Sequence, residues 1–316
     1  MKKIFLGFDP HGLKTSFSYV VKNALIEYGK QENISFTFNL EDDVDEAIVP
    51  SGMDYFVYYA ALKKRGIKVK VIAASSIADF MIKKDRGEQY LSLSLDAINY
   101  YRKADELCVN LPSQKKFLEN LNITTPISII PFVHNSTDEN MLSSQKDAFM
   151  HYYQLQRNRE VIVSYGILTK KETVMNLRAI ARNIPEKDFI FFGKVTPEAM
   201  KQTLFEGITK PDNLFFYPHL PEELYPSFLQ HCNRLLLIGD YLACPQILID
   251  CIYHKIPLIA YKMSGYEEIL NEETASMAKT YYNLYNVLNQ KADQKKAQVA
   301  FETLERLKVF PALNTK

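Results

Sequence analysis

The chain has no tryptophan, only eleven glycines, and four cysteines that follow no motif spacing. Cys108, Cys232, Cys244 and Cys251 form neither a CxxC pair nor a zinc-binding set, which argues against a thiol-redox motif and a structural zinc centre. Cys108, Cys244 and Cys251 sit in apolar patterns and read as small buried hydrophobes in a reducing compartment. The six histidines are scattered without metal-ligand spacing. No apolar run is long enough to span a bilayer, and Met1-Lys2-Lys3 leads straight into a strand pattern rather than a secretory leader. The expectation is a cytoplasmic protein. A formal charge of +1 gives no overall pull toward nucleic acid or an anionic membrane, so any basic surface is local and no nucleic-acid partner is expected.

What is present is ordinary for a globular protein: 47% hydrophobic and 24% charged residues over 316 positions, enough for two domains of about 150 residues each. Twenty tyrosines and nineteen phenylalanines make it aromatic-rich, an outcome that a low-GC coding bias also produces. The first half predicts strands at Lys3–Phe8, Ile34–Leu40, Ala47–Pro50, Lys68–Ala74, Glu106–Leu111 and Ile127–Phe132. Helices alternate with them at 15–28, 53–65, 91–103 and 112–121. The second half repeats the plan, with strands at Val161–Gly166, Asp188–Gly193, Asn213–His219, Arg234–Gly239 and Ile256–Tyr261. Its expected helices are 170–183, 197–205, 221–232, one led by Pro245, a short one at 265–270, and two closing helices at 278–289 and 295–308. This alternation defines an α/β chain of two doubly wound parallel sheets. The domains are expected at 1–150 and 151–316, with the last helix able to pack back on the first.

One stretch, RLLLIGDYLACPQILIDCIYHKIPLIAYKMSGYEEIL from Arg234 to Leu270, carries a resemblance. It is similar to the sugar-nucleotide-binding segment of glycosyltransferase family 4, retaining enzymes of GT-B architecture. Asp250 stands at the second acidic position of that segment, Ile256–Ala260 matches its following strand, and Gly265-Tyr266-Glu267-Glu268-Ile269 matches its Gly/acidic turn. At the first acidic position stands Leu242, with Asp240 two residues away. The run YYRKADELCVNLPSQKKFLENLNITTPISIIPFVHN resembles the end of the family's amino-terminal domain. YFVYYAALKKRGIKVKVIAASSIADF resembles the bacterial branch that makes glucosyldiacylglycerols.

The resemblance implies a GT-B fold, two Rossmann-like domains facing across a cleft, with acceptor bound by the first and nucleotide sugar by the second. It implies a hexosyltransferase using a UDP-sugar, with a membrane glycolipid as acceptor. A surface polysaccharide or glycoprotein glycan is the alternative acceptor. A catalytically degenerate subunit that binds a partner glycosyltransferase or a glycan is the rival class. A departing pyrophosphate gains charge, so cations or helix-end N–H groups must face it. The loop Gly166–Lys171 supplies Lys170 and Lys171, although Ile167 replaces the family's arginine; a solvated helix start is the bland alternative. Asp250 would take ribose hydroxyls, and Glu267 and Glu268 complete the donor-binding set. The family's amino-terminal histidine falls at Ala74, aligned through Asp79. No metal or other cofactor is implied, since cations and helix dipoles replace the metal.

Other signals are weaker. Gly7 to Thr15 resembles a phosphate-binding loop, but Leu13 separates Gly12 from Lys14 and disfavours an ATPase. His11, Gly12, Lys14 and Asp79 are cleft or acceptor candidates under the resemblance. Asp43-Val44-Asp45 is a formal DxD inside an acidic run and reads as a solvated loop. Tyr55, Tyr58 and Tyr59 beside Lys63, Lys64 and Arg65 form the candidate membrane surface on the inner face of the cell membrane, against a core helix with a basic end.

Overall fold

The computed structural model describes residues 2–9, 17–51, 55–73, 77, 81, 93–130, 132–134, 146–199, 211–238, 245–261, 263 and 265–307. The chain divides into two compact units. The first comprises residues 1–133, 264–268 and 306–316, and the second comprises 134–263 and 269–305. The boundary expected at residues 150–151 lies inside the second unit.

In the first unit the chain alternates β1 (Lys2–Leu6), α1 (Phe17–Gln31), β2 (Ile34–Thr37), β3 (Glu46–Pro50), α2 (Tyr55–Lys64), β4 (Lys68–Ile72), α3 (Leu93–Lys103), β5 (Glu106–Val109), α4 (Pro112–Asn120) and β6 (Ile127–Ile129). All neighbours pair in parallel, in the order β2-β1-β3-β4-β5-β6. Parallel strands covered on both faces need apolar side chains throughout, and Ala47, Val49, Val69, Val71, Leu107 and Val109 supply them. The acidic run after β2 is a surface turn. Asp42 pairs with Lys3 at 2.9 Å and accepts from Thr37 at 2.7 Å, contacts that hold its carboxyl below the usual carboxylate range. Asp45 accepts from the Lys3 amide at 2.8 Å.

In the second unit the order is α5 (Ala148–Tyr152), β7 (Glu160–Leu168), α6 (Lys171–Asn183), β8 (Lys187–Val195), β9 (Leu214–Tyr217), a 3-10 turn at Glu222–Leu224, α7 (Tyr225–His231), β10 (Arg234–Leu237), α8 (Pro245–Tyr253), β11 (Leu258–Tyr261), β12 (Ser276–Ala278), α9 (Tyr281–Asn289) and α10 (Gln294–Arg306). The parallel sheet runs β12-β11-β10-β7-β8-β9. Two expectations change here. Residues 265–270 form turns rather than a helix, and 276–278, just at and before the expected start of a helix at 278, pair with β11 as a sixth strand.

Buried cations close the last turn of α9. Arg234, 2% exposed, donates to the Val287 carbonyl at 3.0 Å and pairs with Glu160; Lys187 donates to the Leu288 carbonyl and sits 2.8 Å from the same Glu160. Cationic donors complement the carbonyl end of a helix. Phe301 of α10 packs edge-on against Tyr253, with ring centroids 5.8 Å apart. Among the described residues no helix is long and apolar enough to cross a membrane. Cys108, Cys232 and Cys251 are buried and free, and burial pushes the Cys108 thiol up to about 12. Cys244 lies outside the described residues.

Candidate nucleotide-sugar site

In the second unit's sheet, β7 opens the chain order yet lies between β8 and β10: the chain runs outward to β8 and β9 on one side, then crosses to β10 on the other. Open parallel sheets bind ligands at such a switch point, beyond the carboxyl ends of the strands. The segments that follow β7 and β10 therefore define the candidate site.

After β7 come Thr169 and Lys170, then α6. The strand was expected to end at Gly166 but continues through Leu168, because Gly166 pairs with Gly193 of β8. A Cβ on Gly193 would stand 1.9 Å from the Gly166 carbonyl oxygen, and both residues have positive φ, 142° and 135°. Only glycine permits this approach. Ile167 is therefore a half-buried strand residue, and the loop shrinks to Thr169–Lys170. Lys170 is the N-cap of α6, with no side-chain cap bond, and is exposed; Lys171 is half-buried. Their ammonium groups thus accompany the positive end of a thirteen-residue helix.

After β10 the chain reaches α8, whose second turn carries Asp250. This carboxylate is fully buried. Tyr225, the first residue of α7, donates its hydroxyl to Oδ2 at 2.7 Å, and Gln246, one helical turn back, donates Nε2 to Oδ1 at 2.8 Å. The exposed-face alternative for Asp250 is excluded. Its carboxylate is held within the unit by side chains that the sequence reading did not single out. Gln246 stood at the readable i, i+4 spacing; Tyr225 came from twenty-five residues away.

Glu267 and Glu268 pack with the first unit. Residues 264–268 join the first unit, where Glu268 accepts from the Ser113 amide at 2.6 Å and the Ser113 hydroxyl at 2.7 Å. Helix α4 has Leu111 as N-cap, which offers no side-chain acceptor, so Glu268 supplies the cap from a distant segment. Gln114 adds a bond to the Gly265 carbonyl at 3.0 Å, and Glu267 accepts from the Gly265 amide at 2.7 Å. The turn expected to bind the donor thus caps α4 through Glu268, while Glu267 closes the turn on itself.

The membrane candidates also separate. Tyr59 is 5% exposed in the first core and donates to the Lys103 carbonyl, so it is not a surface aromatic. Lys63 forms a two-pronged pair with Asp105 at 2.8 and 3.0 Å, and Arg65 donates to the Leu40 and Asp42 carbonyls. Tyr58 is exposed and touches Phe5, and Lys64 is exposed; Tyr55 opens the helix. His11, Gly12, Lys14, Ala74, Asp79, Asp240 and Leu242 lie outside the described residues.

Two parallel Rossmann-like units fit the GT-B fold, and comparison with known proteins agrees. HepE from Anabaena, solved with UDP and glucose, matches with a TM-score of 0.67 at 13% identity, covering 97% of this chain and 95% of that one. Sucrose-phosphate synthase from Thermosynechococcus elongatus matches with a TM-score of 0.63 at 13% identity, over 92% and 74% of the two chains. WaaG, a glycosyltransferase involved in lipopolysaccharide biosynthesis, matches with a TM-score of 0.59 at 13% identity, over 99% and 96%. In sequence, the chain is 21% identical over 213 residues to a processive diacylglycerol alpha-glucosyltransferase of Acholeplasma laidlawii. That match covers 59% of this chain and 64% of the relative, less than two thirds of its length. No protein-family model matches.

Proposed function

We propose that the chain is a family-4-like hexosyltransferase that uses a UDP-sugar, bound by the second unit, to glycosylate an acceptor bound by the first. The observation that carries this reading is the fold likeness to HepE, whose structure holds UDP and glucose, over 97% of the chain. The chemistry at the β7 switch point agrees with it. Lys170, Lys171 and the start of α6 are the groups that would meet a pyrophosphate as its bond to the sugar breaks. We assign Asp250 to the ribose side of the same site, where, being fully buried, it would act through Tyr225 and Gln246, the side chains it holds. Gly166 is the residue whose backbone closes against β8 beneath it. No metal is needed in this scheme, because lysine and helix N–H groups take the charge.

The acceptor we favour is a membrane glycolipid, such as diacylglycerol or its monoglucosyl form. The support is the Acholeplasma relative, a diacylglycerol glucosyltransferase. The protein would then work peripherally on the inner leaflet, using exposed residues such as Tyr58 and Lys64 rather than the whole tyrosine-lysine set. Purified protein incubated with radiolabelled UDP-glucose or UDP-galactose and mixed anionic vesicles containing diacylglycerol should label lipid. Label appearing only in soluble saccharide would move the acceptor; UDP release without acceptor specificity would leave only the donor half standing.

A second reading has its own observation. Ile167 is a strand residue where the family places an arginine, and Leu242 and Ala74 replace two more polar positions. A subunit that keeps the fold and binds a partner transferase or glycan would show no turnover with any UDP-sugar.

A further inference from the structure

The second unit has a hollow that the proposed reaction does not use. It lies at the amino ends of β7, β8 and β9 and the carboxyl end of α6, the opposite edge of the sheet from the switch point. Its volume, about 460 Å³, falls in the range of about 300–1,000 Å³ that holds small organic ligands.

The lining limits what would enter. Two cations, Arg159 and Arg182, face two carboxylates, Asp188 and Asp212. Arg159 pairs with the buried Asp188 at 2.9 Å on one side of the hollow, while Arg182 and Asp212 are exposed. Balanced charge offers no excess pull on a phosphate or a nucleotide. Arg159 also donates to the Pro185 and Lys187 carbonyls, so the polar groups left exposed to a ligand are Gln154, Gln156, Arg182 and Asp212, flat groups with paired donors or acceptors suited to adjacent hydroxyls.

The apolar lining is aromatic. Phe215 of the edge strand lines the hollow and stands parallel to Tyr217, 6.5 Å apart with 7° between the rings. Tyr217 meets Tyr153 at 4.5 Å, and Tyr153 meets Tyr152, which is 63% exposed. Ring contacts thus run from Phe215 in the hollow through the buried Tyr153 to the exposed Tyr152. A ring face beside planar hydrogen-bonding groups matches a molecule with a flat C–H face and a hydroxyl rim.

We propose that this hollow is a binding site for a neutral saccharide, separate from the donor site and independent of whether the chain transfers sugar. Saturation-transfer NMR with glucose, galactose, maltose and cellobiose tests it, run on the full chain with and without saturating UDP. Binding in the millimolar range is expected, unchanged by UDP and not shared by inorganic phosphate. Asp212→Ala combined with Gln156→Ala removes two exposed side chains and should weaken it at least about tenfold, with thermal melting unchanged. Phe215→Leu keeps an apolar side chain and should reduce transfer from the ring protons. No transfer to any of the four saccharides overturns the proposal. So does saccharide binding that UDP abolishes, or that the double substitution leaves intact, since the sugar then sits elsewhere.

Discussion

At the scale of single residues, the sharpest constraint is the glycine pair of β7 and β8. Gly193→Ala would drive a Cβ to 1.9 Å from the Gly166 oxygen, so β8 must shift or the strand pairing must break. A loss of about 2 kcal/mol or more is expected in denaturant unfolding; a variant as stable as the parent would show that the two strands do not approach so closely. Asp250 needs a test of different design. Asp250→Ala leaves the Tyr225 hydroxyl and the Gln246 amide without their acceptor, at about 1–3 kcal/mol for each group left unsatisfied. Loss of nucleotide binding in that variant alone therefore says little. Asp250→Asn keeps the shape; if it melts near the parent yet binds UDP at least about tenfold more weakly, the carboxylate acts on the nucleotide. His254 gives a pH signature. Burial holds its pKa below the ordinary 6.5, so below that value the unfolded chain binds more protons than the native one. Stability is then full above about pH 6.5 and falls as pH drops toward the native pKa. The melting temperature should fall between about pH 7 and 5, and His254→Asn should reduce that fall.

At the scale of elements, capping and edge strands show where the sequence was readable. The alternating strands and helices were legible because buried parallel strands are short apolar runs and the helices between them keep a helical period. Residues 276–278 escaped because a three-residue strand has too few positions to show a period. The Glu268 cap escaped for another reason. A helix start at Pro112 is legible, but an acceptor lying 155 residues from Ser113 carries no local signal. Glu268→Ala should destabilise the chain by about 0.5–2 kcal/mol, the usual value of a lost cap, measured by chemical denaturation. Ser113→Ala should cost less, since its amide still reaches the carboxylate, and the double variant should fall short of the sum. Equal additive losses would mean that the two residues act separately. Helix α2 makes the same point about surfaces: aromatic and basic residues at helical spacing look alike in sequence whether they meet lipid or, as Tyr59 and Lys63 do, a core and a neighbouring turn.

At the scale of the molecule, two parallel sheets and their strand orders fit a GT-B fold, which the family-like motifs of the sequence also imply. The chemistry was less legible, because a site is made of a few positions and several of the family's polar ones are apolar here. Lys170 and Lys171 remain at the helix start beyond β7, and the account stands on them. Calorimetric titration of UDP into the parent chain and into the Lys170→Ala, Lys171→Ala double variant tests it most directly. Both lysines lie at or near the surface, so their removal should leave the melting temperature in place. Saturable binding to the parent and a loss of at least about tenfold, ~1.4 kcal/mol, in the variant are expected. No heat of binding for UDP or any UDP-hexose with the parent chain, or equal affinity in the folded double variant, would contradict the proposed donor site.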